Sequence, residues 1–278
     1  MAGTSPKADA ALRTEIDRQL ANARESMALT RAGRDELRAH NRQRRDFHLT
    51  FSNFTSHASQ ELICGLALDV VHGDFAAATR QFAECGDWFV FYDDVLEAAH
   101  RGELAGLAPR LPLRDLLEPT LCLVLADDRA RLARLAGPEL EQIFELPQAI
   151  TSKYQRTWAW FVYAMLLLAR GKPPRELAEQ DHPVRPKDVI EGYDILLREA
   201  IRGDVAAFEA QRMRLEEVYP KRGSGARSGG INWYGAGRIG QAMTFDVIGT
   251  VVTRLAVRAG LDLKVDSALY PARFIHRT

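Results

Sequence analysis

Apolar residues recur at steps of three and four along nearly everything between residues 8 and 260. In the first segment Leu12, Ile16, Leu20, Ala23 and Met27 fall on one stripe, with Arg13, Asp17, Arg24 and Glu25 away from it, which predicts an amphipathic surface helix. Prolines stand mostly between periodic segments (Pro109, Pro112, Pro138, Pro147, Pro173, Pro183), where they end helices or open new ones. Strand signals are scarce, and the alternating LDLKV at 261–265 is the clearest.

A small unit recurs within this pattern. VVHGDFAAATRQF around Gly73 and AIRGDVAAFEAQ around Gly203 are nearly one phrase, and AAHRGELAGL at Gly102 and LLARGKPPREL at Gly171 are looser versions. Each describes an apolar helix ending on a glycine able to take the left-handed C′ conformation. In the Gly-Asp pairs, Asp74 and Asp204 are placed to cap the next helix. These are corners of αα-hairpins. The predicted fold is all-α, an array of antiparallel helical hairpins forming one domain over residues 1–278. Residues 1–7 are expected to be disordered, 221–235 to form a Gly/Ser-rich loop, and the C-terminus to hold at most a short extended segment.

Composition narrows the functional classes. A hydrophobic share of 46% in 278 residues is enough to build a sizeable core. Lys plus Arg equals Asp plus Glu at 37 each, so no overall field draws the chain to nucleic acid or an anionic membrane. Cys64, Cys85 and Cys122 are odd in number and widely spaced, which argues against a disulfide framework or zinc knuckle and suggests a reducing cytoplasm. The N-terminal MAGTSPKADA does not read as a secretory signal, and WAWFVYAMLLLA at 158–169 is too short for a membrane span.

Two stretches imitate cofactor sites. YGAGRIGQAM at 234–243 spaces its glycines as G-x-G-x-x-G, but a Gly/Ser-rich loop precedes it where a dinucleotide fold needs a strand, and only twelve residues follow Asp266. A loop opening onto a buried helix is the better reading. DWFVFYDDVLEAAH at 87–100 places Asp93, Asp94 and Glu97 on one helix face, as in the magnesium helix of all-α terpenoid synthases, yet no matching second motif occurs. The plainer reading turns Trp88, Phe91 and Val95 to the core. The histidines make no H-x-x-x-H or H-E-x-x-H pair and the serines no G-x-S-x-G elbow, so no catalytic residue, cofactor or metal is assigned.

Charge is uneven locally. Residues 81–128 hold ten acids against three arginines, net −7, whereas RAGRDELRAHNRQRR at 31–45 holds six arginines against two acids. Lacking glycine or aromatic interleaving, the basic run reads as a solvated helix face rather than an RNA contact. The acidic stretch is a candidate partner surface, with Asp87, Asp93, Asp94, Glu97 and Glu103 proposed to steer and hold a basic protein.

The C-terminal half carries a resemblance. GDVAAFEAQRMRLEEVYPKR (203–222), a Gly/Ser-rich gap, and FDVIGTVVTRLAVRAGLDLKVDSALYPARFIHR (245–277) resemble the ending of the bacterial immunity protein 49 family. Ala259, Gly260, Val265, Ser267, Tyr270 and Pro271 carry the likeness, with Leu269-Tyr270 where the family pattern has Tyr-Leu. LLEPTLCLVLADDRARLARLAG at 116–137 is similar to the family's middle helix. About half the chain is covered, mostly through small and hydrophobic residues. A neighbouring class, helical immunity proteins against nuclease effectors, ends on a similar Tyr-Pro phrase. The resemblance implies an all-α cytoplasmic protein that binds a cognate protein toxin and blocks it without chemistry of its own. It transfers no binding residues. A helical-repeat scaffold for another cytoplasmic protein is the alternative, and an enzyme comes third.

Overall fold

A computed structural model describes residues 6–107, 110–171, 175–180, 184, 190–224, 246–267 and 269–276. The N-terminal part comprises α1 (Pro6–Ala32), α2 (Arg34–Arg44), α3 (Phe47–His72), α4 (Phe75–Ala83) and a 3-10 turn (Glu84–Trp88) running into α5 (Phe89–His100). The middle holds α6 (Leu117–Ala126), α7 (Arg129–Leu135), α8 (Leu140–Ile143), α9 (Lys153–Ala169) and α10 (Glu176–Glu179). The remainder is α11 (Tyr193–Arg202), α12 (Val205–Ser224), α13 (Val247–Arg258) and α14 (Ala272–Ile275). No strand occurs among the described residues, and the fold is all-α; a single bridge joins Leu111 to Phe144.

The Gly-Asp corners form as the sequence predicts. Gly73 and Gly203 take φ of 65° and 75°, which a side chain would strain. Asp74 then accepts the Ala77 N–H at 2.8 Å and Asp204 the Ala207 N–H at 2.9 Å, starting α4 and α12. Tight corners force α3 against α4 and α11 against α12.

α3 packs on α1, α4, α5 and α6, while α13 packs on α6, α9, α11 and α14. α6 is central because LEPTLCLVLA is apolar almost all round, so it has no face to turn to water. Phe54, Phe89 and Tyr92 meet with ring centroids 5.1–5.6 Å apart and fix α5 on α3. Trp88, Phe91 and Val95 are fully buried, as expected of the 87–100 helix. On α1, Leu20 and Met27 are buried.

The alternation of LDLKV proves to be half-burial without a sheet. Leu261, Leu263 and Val265 face the core and Asp262, Lys264 and Asp266 face water, but no described strand pairs with them. Two expected boundaries shift: α1 includes Pro6 and Lys7, and α12 runs past residue 221 to Ser224. The glycine-rich 234–243 stretch lies outside the described residues.

Candidate functional site

The two oppositely charged stretches of the sequence face each other within the chain. Arg34, Arg38 and Asn41 follow one another at steps of four and three along one stripe of α2, and Arg45 is its left-handed C-terminal cap. Beside them α5 presents Asp94 and Glu97. Arg38 donates to both Asp94 oxygens, at 2.8 and 2.7 Å, and Arg42 donates through Nε at 2.9 Å and also through Nη2. Asp94 is only 5% exposed, so guanidinium groups take the place of its water. The carboxylate in turn raises the Arg38 guanidinium above its ordinary value through their hydrogen bonds.

This geometry changes the reading of the predicted acidic face. Asp94 points inward and accepts three hydrogen bonds on Oδ1 and one on Oδ2, all from Arg38 and Arg42. Asp93 pairs with Arg134 at 2.6 Å; burial pushes its carboxyl up and Arg134 opposes the shift. Glu103 is held by Arg101 at 2.6 Å. Asp87 and Glu97 remain half open, with exposures of 50% and 54%, and lie within ion-pair range of Arg31 (3.6 Å) and of Arg42 and Arg101 (3.5 and 3.6 Å). A local net charge of −7 looked like an unpartnered surface because a sum along the sequence is blind to the arginines that folding brings opposite.

The α2–α5 seam is not completely filled. A cavity of about 280 Å³ opens where the end of α2, the start of α3 and the second half of α5 meet, lined by Asn41, Arg42, Arg45, Glu97, Arg101 and Glu103. Asn41 is 1% exposed, and among the described residues neither its Oδ1 nor its Nδ2 has a hydrogen-bond partner. Each such orphaned group costs roughly 1–3 kcal/mol when nothing occupies the space beside it. Across α5 a second cavity, about 430 Å³, is bordered by Asp93, His100, Arg134 and Glu139; Arg134 pairs with Asp93, and His100 hydrogen-bonds Glu139 at 3.0 Å.

A polar centre that no motif announced sits deeper. Glu61 of α3 is fully buried and accepts from Trp88 Nε1 at 2.9 Å, Gln81 Nε2 at 2.5 Å and Arg31 Nη2 at 2.5 Å. Burial pushes its carboxyl above the usual range, while the Trp88 hydrogen bond and the Arg31 charge oppose the shift. His57 stacks on Trp88 with centroids 4.0 Å apart, and burial lowers its imidazole. The centre ties α1, α3 and α4 together. Its sequence signal was an acid inside the apolar phrase ELICGLAL.

The residues of the C-terminal resemblance form one tertiary unit. Asp246 caps α13 by accepting the Gly249 N–H at 2.9 Å, and the Tyr270 hydroxyl donates to its other oxygen at 2.9 Å. Ser267 and Tyr270 exchange backbone hydrogen bonds, closing the turn that brings the ring back. A Cβ on Gly249 would lie 2.5 Å from both the Tyr270 hydroxyl and Asp246 Oδ2. The close approach that this glycine permits is therefore to side chains. Gly260, at φ 103°, ends α13, and buried Arg254 together with Arg258 reaches Asp127 at the α6–α7 corner.

All three cysteines are buried and unbridged, with the Cys64 thiol pushed up to about 12 by burial. Among the described residues no group of three or more His, Cys, Asp or Glu could hold a metal ion, and no helix is long and apolar enough to cross a membrane. No family model, no curated protein and no solved structure matches this chain.

Proposed function

We propose that this protein is a toxin-neutralising immunity protein, which covers the active site or substrate channel of a cognate bacterial toxin and performs no chemistry itself. The reading rests on one observation. The resemblance of the C-terminal tail carries it: Gly260, Val265, Ser267 and Tyr270 match the family pattern, and Ser267 and Tyr270 close the turn that returns the tyrosine hydroxyl to Asp246 at the start of α13. The setting is cytoplasmic, where the incoming toxin acts and where three buried thiols stay reduced.

The half-open acids Asp87 and Glu97 are the surface groups of the original five best placed to meet a basic toxin, since a rim charge acts mainly on the association rate. Co-expression with the toxin encoded beside the gene tests the function. Restored growth, together with a complex that co-elutes from purified components, supports the reading. Unrelieved toxicity with every adjacent gene product refutes it. A helical scaffold for another partner is the second reading, favoured by the repeated Gly-Asp corners at Gly73 and Gly203.

A further inference from the structure

The cavity in the α2–α5 seam has a defined hydrogen-bonding demand. Three groups on it have donors to spare. Asn41 Nδ2 is unpartnered; Arg42 commits Nε and Nη2 to Asp94 and Glu97 and leaves Nη1 over; the Arg45 guanidinium makes no hydrogen bond among the described residues, its backbone N–H alone donating to Arg42 O. Against these donors stands Asn41 Oδ1, buried and without a partner, beside the Asp94, Glu97 and Glu103 carboxylates that Arg38, Arg42 and Arg101 already hold. Arg101 is committed to Glu103 and Glu97. The exposed sides of Arg42, Glu97 and Arg101 form the mouth, so the cavity is reachable from solvent while Asn41 lies at its base.

Candidate occupants differ in how they meet this demand. Inorganic phosphate could donate to Asn41 Oδ1 only through its P–O–H, and it brings up to two negative charges to a wall where three arginines already face Asp94, Glu97 and Glu103. A cation would meet the surplus donors head-on. A singly charged carboxylate with a neighbouring amide N–H satisfies both sides. Its oxygens accept from Arg45, Arg42 Nη1 and Asn41 Nδ2, and its N–H donates to Asn41 Oδ1. A volume of about 280 Å³ suits one residue-sized group and is small for a drug-sized ligand.

We propose that this cavity binds a carboxylate flanked by an amide N–H, the chemistry shared by the last residue of a peptide chain and by an N-acyl amino acid. The site goes beyond the immunity reading and holds whether or not the protein's partner is a toxin.

The test uses the full chain with ¹⁵N-labelled side chains, titrated with N-acetylglycine, with an acetylated tetrapeptide ending in glycine, and with inorganic phosphate. The expected result is a saturable shift of the Asn41 side-chain NH₂ and the Arg45 Nε–H by the first two probes, at least about tenfold tighter than by phosphate. Tighter binding of the tetrapeptide assigns the site to a chain end; tighter binding of N-acetylglycine assigns it to a small N-acyl amino acid. Asn41→Leu is expected to weaken binding at least about tenfold. Arg45→Gly should do the same, and it fits the left-handed backbone at that position (φ 52°), so its fold is kept. Absence of a saturable shift, equal binding of phosphate, or unaltered affinity in Arg45→Gly would overturn the proposal and leave a water-filled cavity. None of these results bears on growth rescue by the intact protein, so the two readings fail separately.

Discussion

Asp94 provides the sharpest test of the α2–α5 seam. Replacing it with alanine removes four hydrogen bonds, two from Arg38 and two from Arg42, at a site 5% exposed. Breaking a fully buried pair costs about 3–5 kcal/mol, because the partner charge is left desolvated. Here the guanidinium side chains are 26% and 48% exposed and can turn to water, so we discount the loss to about 2–3 kcal/mol. For a chain of this length each kcal/mol moves the melting temperature by roughly 2–4 °C, which puts the drop at about 4–12 °C. Scanning calorimetry of the parent, Asp94→Ala, Arg42→Ala and the double variant checks this. The double variant should lose less than the sum of the singles by about 1 kcal/mol or more. An Asp94→Ala protein melting within about 1 °C of the parent would refute the clamp. The same geometry forecasts that Asp94→Lys, which sets a third cation against Arg38 and Arg42, disturbs the fold itself. Charge reversal at Asp94 therefore cannot report on partner binding, and Glu97→Lys can.

Tyr270→Phe removes the hydroxyl's hydrogen bond to Asp246 Oδ2 and should cost about 1–3 kcal/mol in urea unfolding. Gly249→Ala gains up to about 1 kcal/mol of helix propensity but meets Asp246 Oδ2, the Tyr270 hydroxyl and its ring edge, so it should destabilise the protein in urea unfolding; unchanged or raised stability would disprove the contact. Burial raises the Glu118 carboxyl from 4.5 to about 7, so the folded chain holds that proton more tightly than the unfolded one. Stability from this group is present at low pH and falls as pH climbs from 4.5 through about 7, and Glu118→Gln should flatten that fall; an unchanged stability–pH slope counts against it. If the proposed toxin partner docks here, Glu97→Lys should slow its association at low salt while leaving the melting temperature within about 2 °C, because the Glu97 ion pairs are long and half exposed.

Local chemistry made much of the fold legible. A glycine followed by an aspartate can be read as a corner from two residues, because the left-handed turn and the side-chain cap are both made within four positions, and Gly73-Asp74 and Gly203-Asp204 behave accordingly. The burial of Trp88, Phe91 and Val95 followed likewise from spacing. The candidate site was less legible. Arg34, Arg38 and Asn41 show a helical stripe in the sequence, and Asp94 and Glu97 show another, but nothing local says that one stripe lies on the other.

What the sequence determined by itself was the helical class, the corner positions, the caps and the apolar faces, all set by interactions a few residues long. Tertiary structure decided what the charges do. Asp94 and its arginines are more than fifty positions apart, and Asp127 and Arg258 more than a hundred and thirty. A charge has no periodicity that names its partner, and its energy depends on burial and on a separation of a few ångströms, both of which exist only after the helices pack. The same packing turned an exposed-looking acidic helix into one side of an ion-paired seam, and enclosed Asn41, one unremarkable residue in an arginine run, with both ends of its amide unfilled.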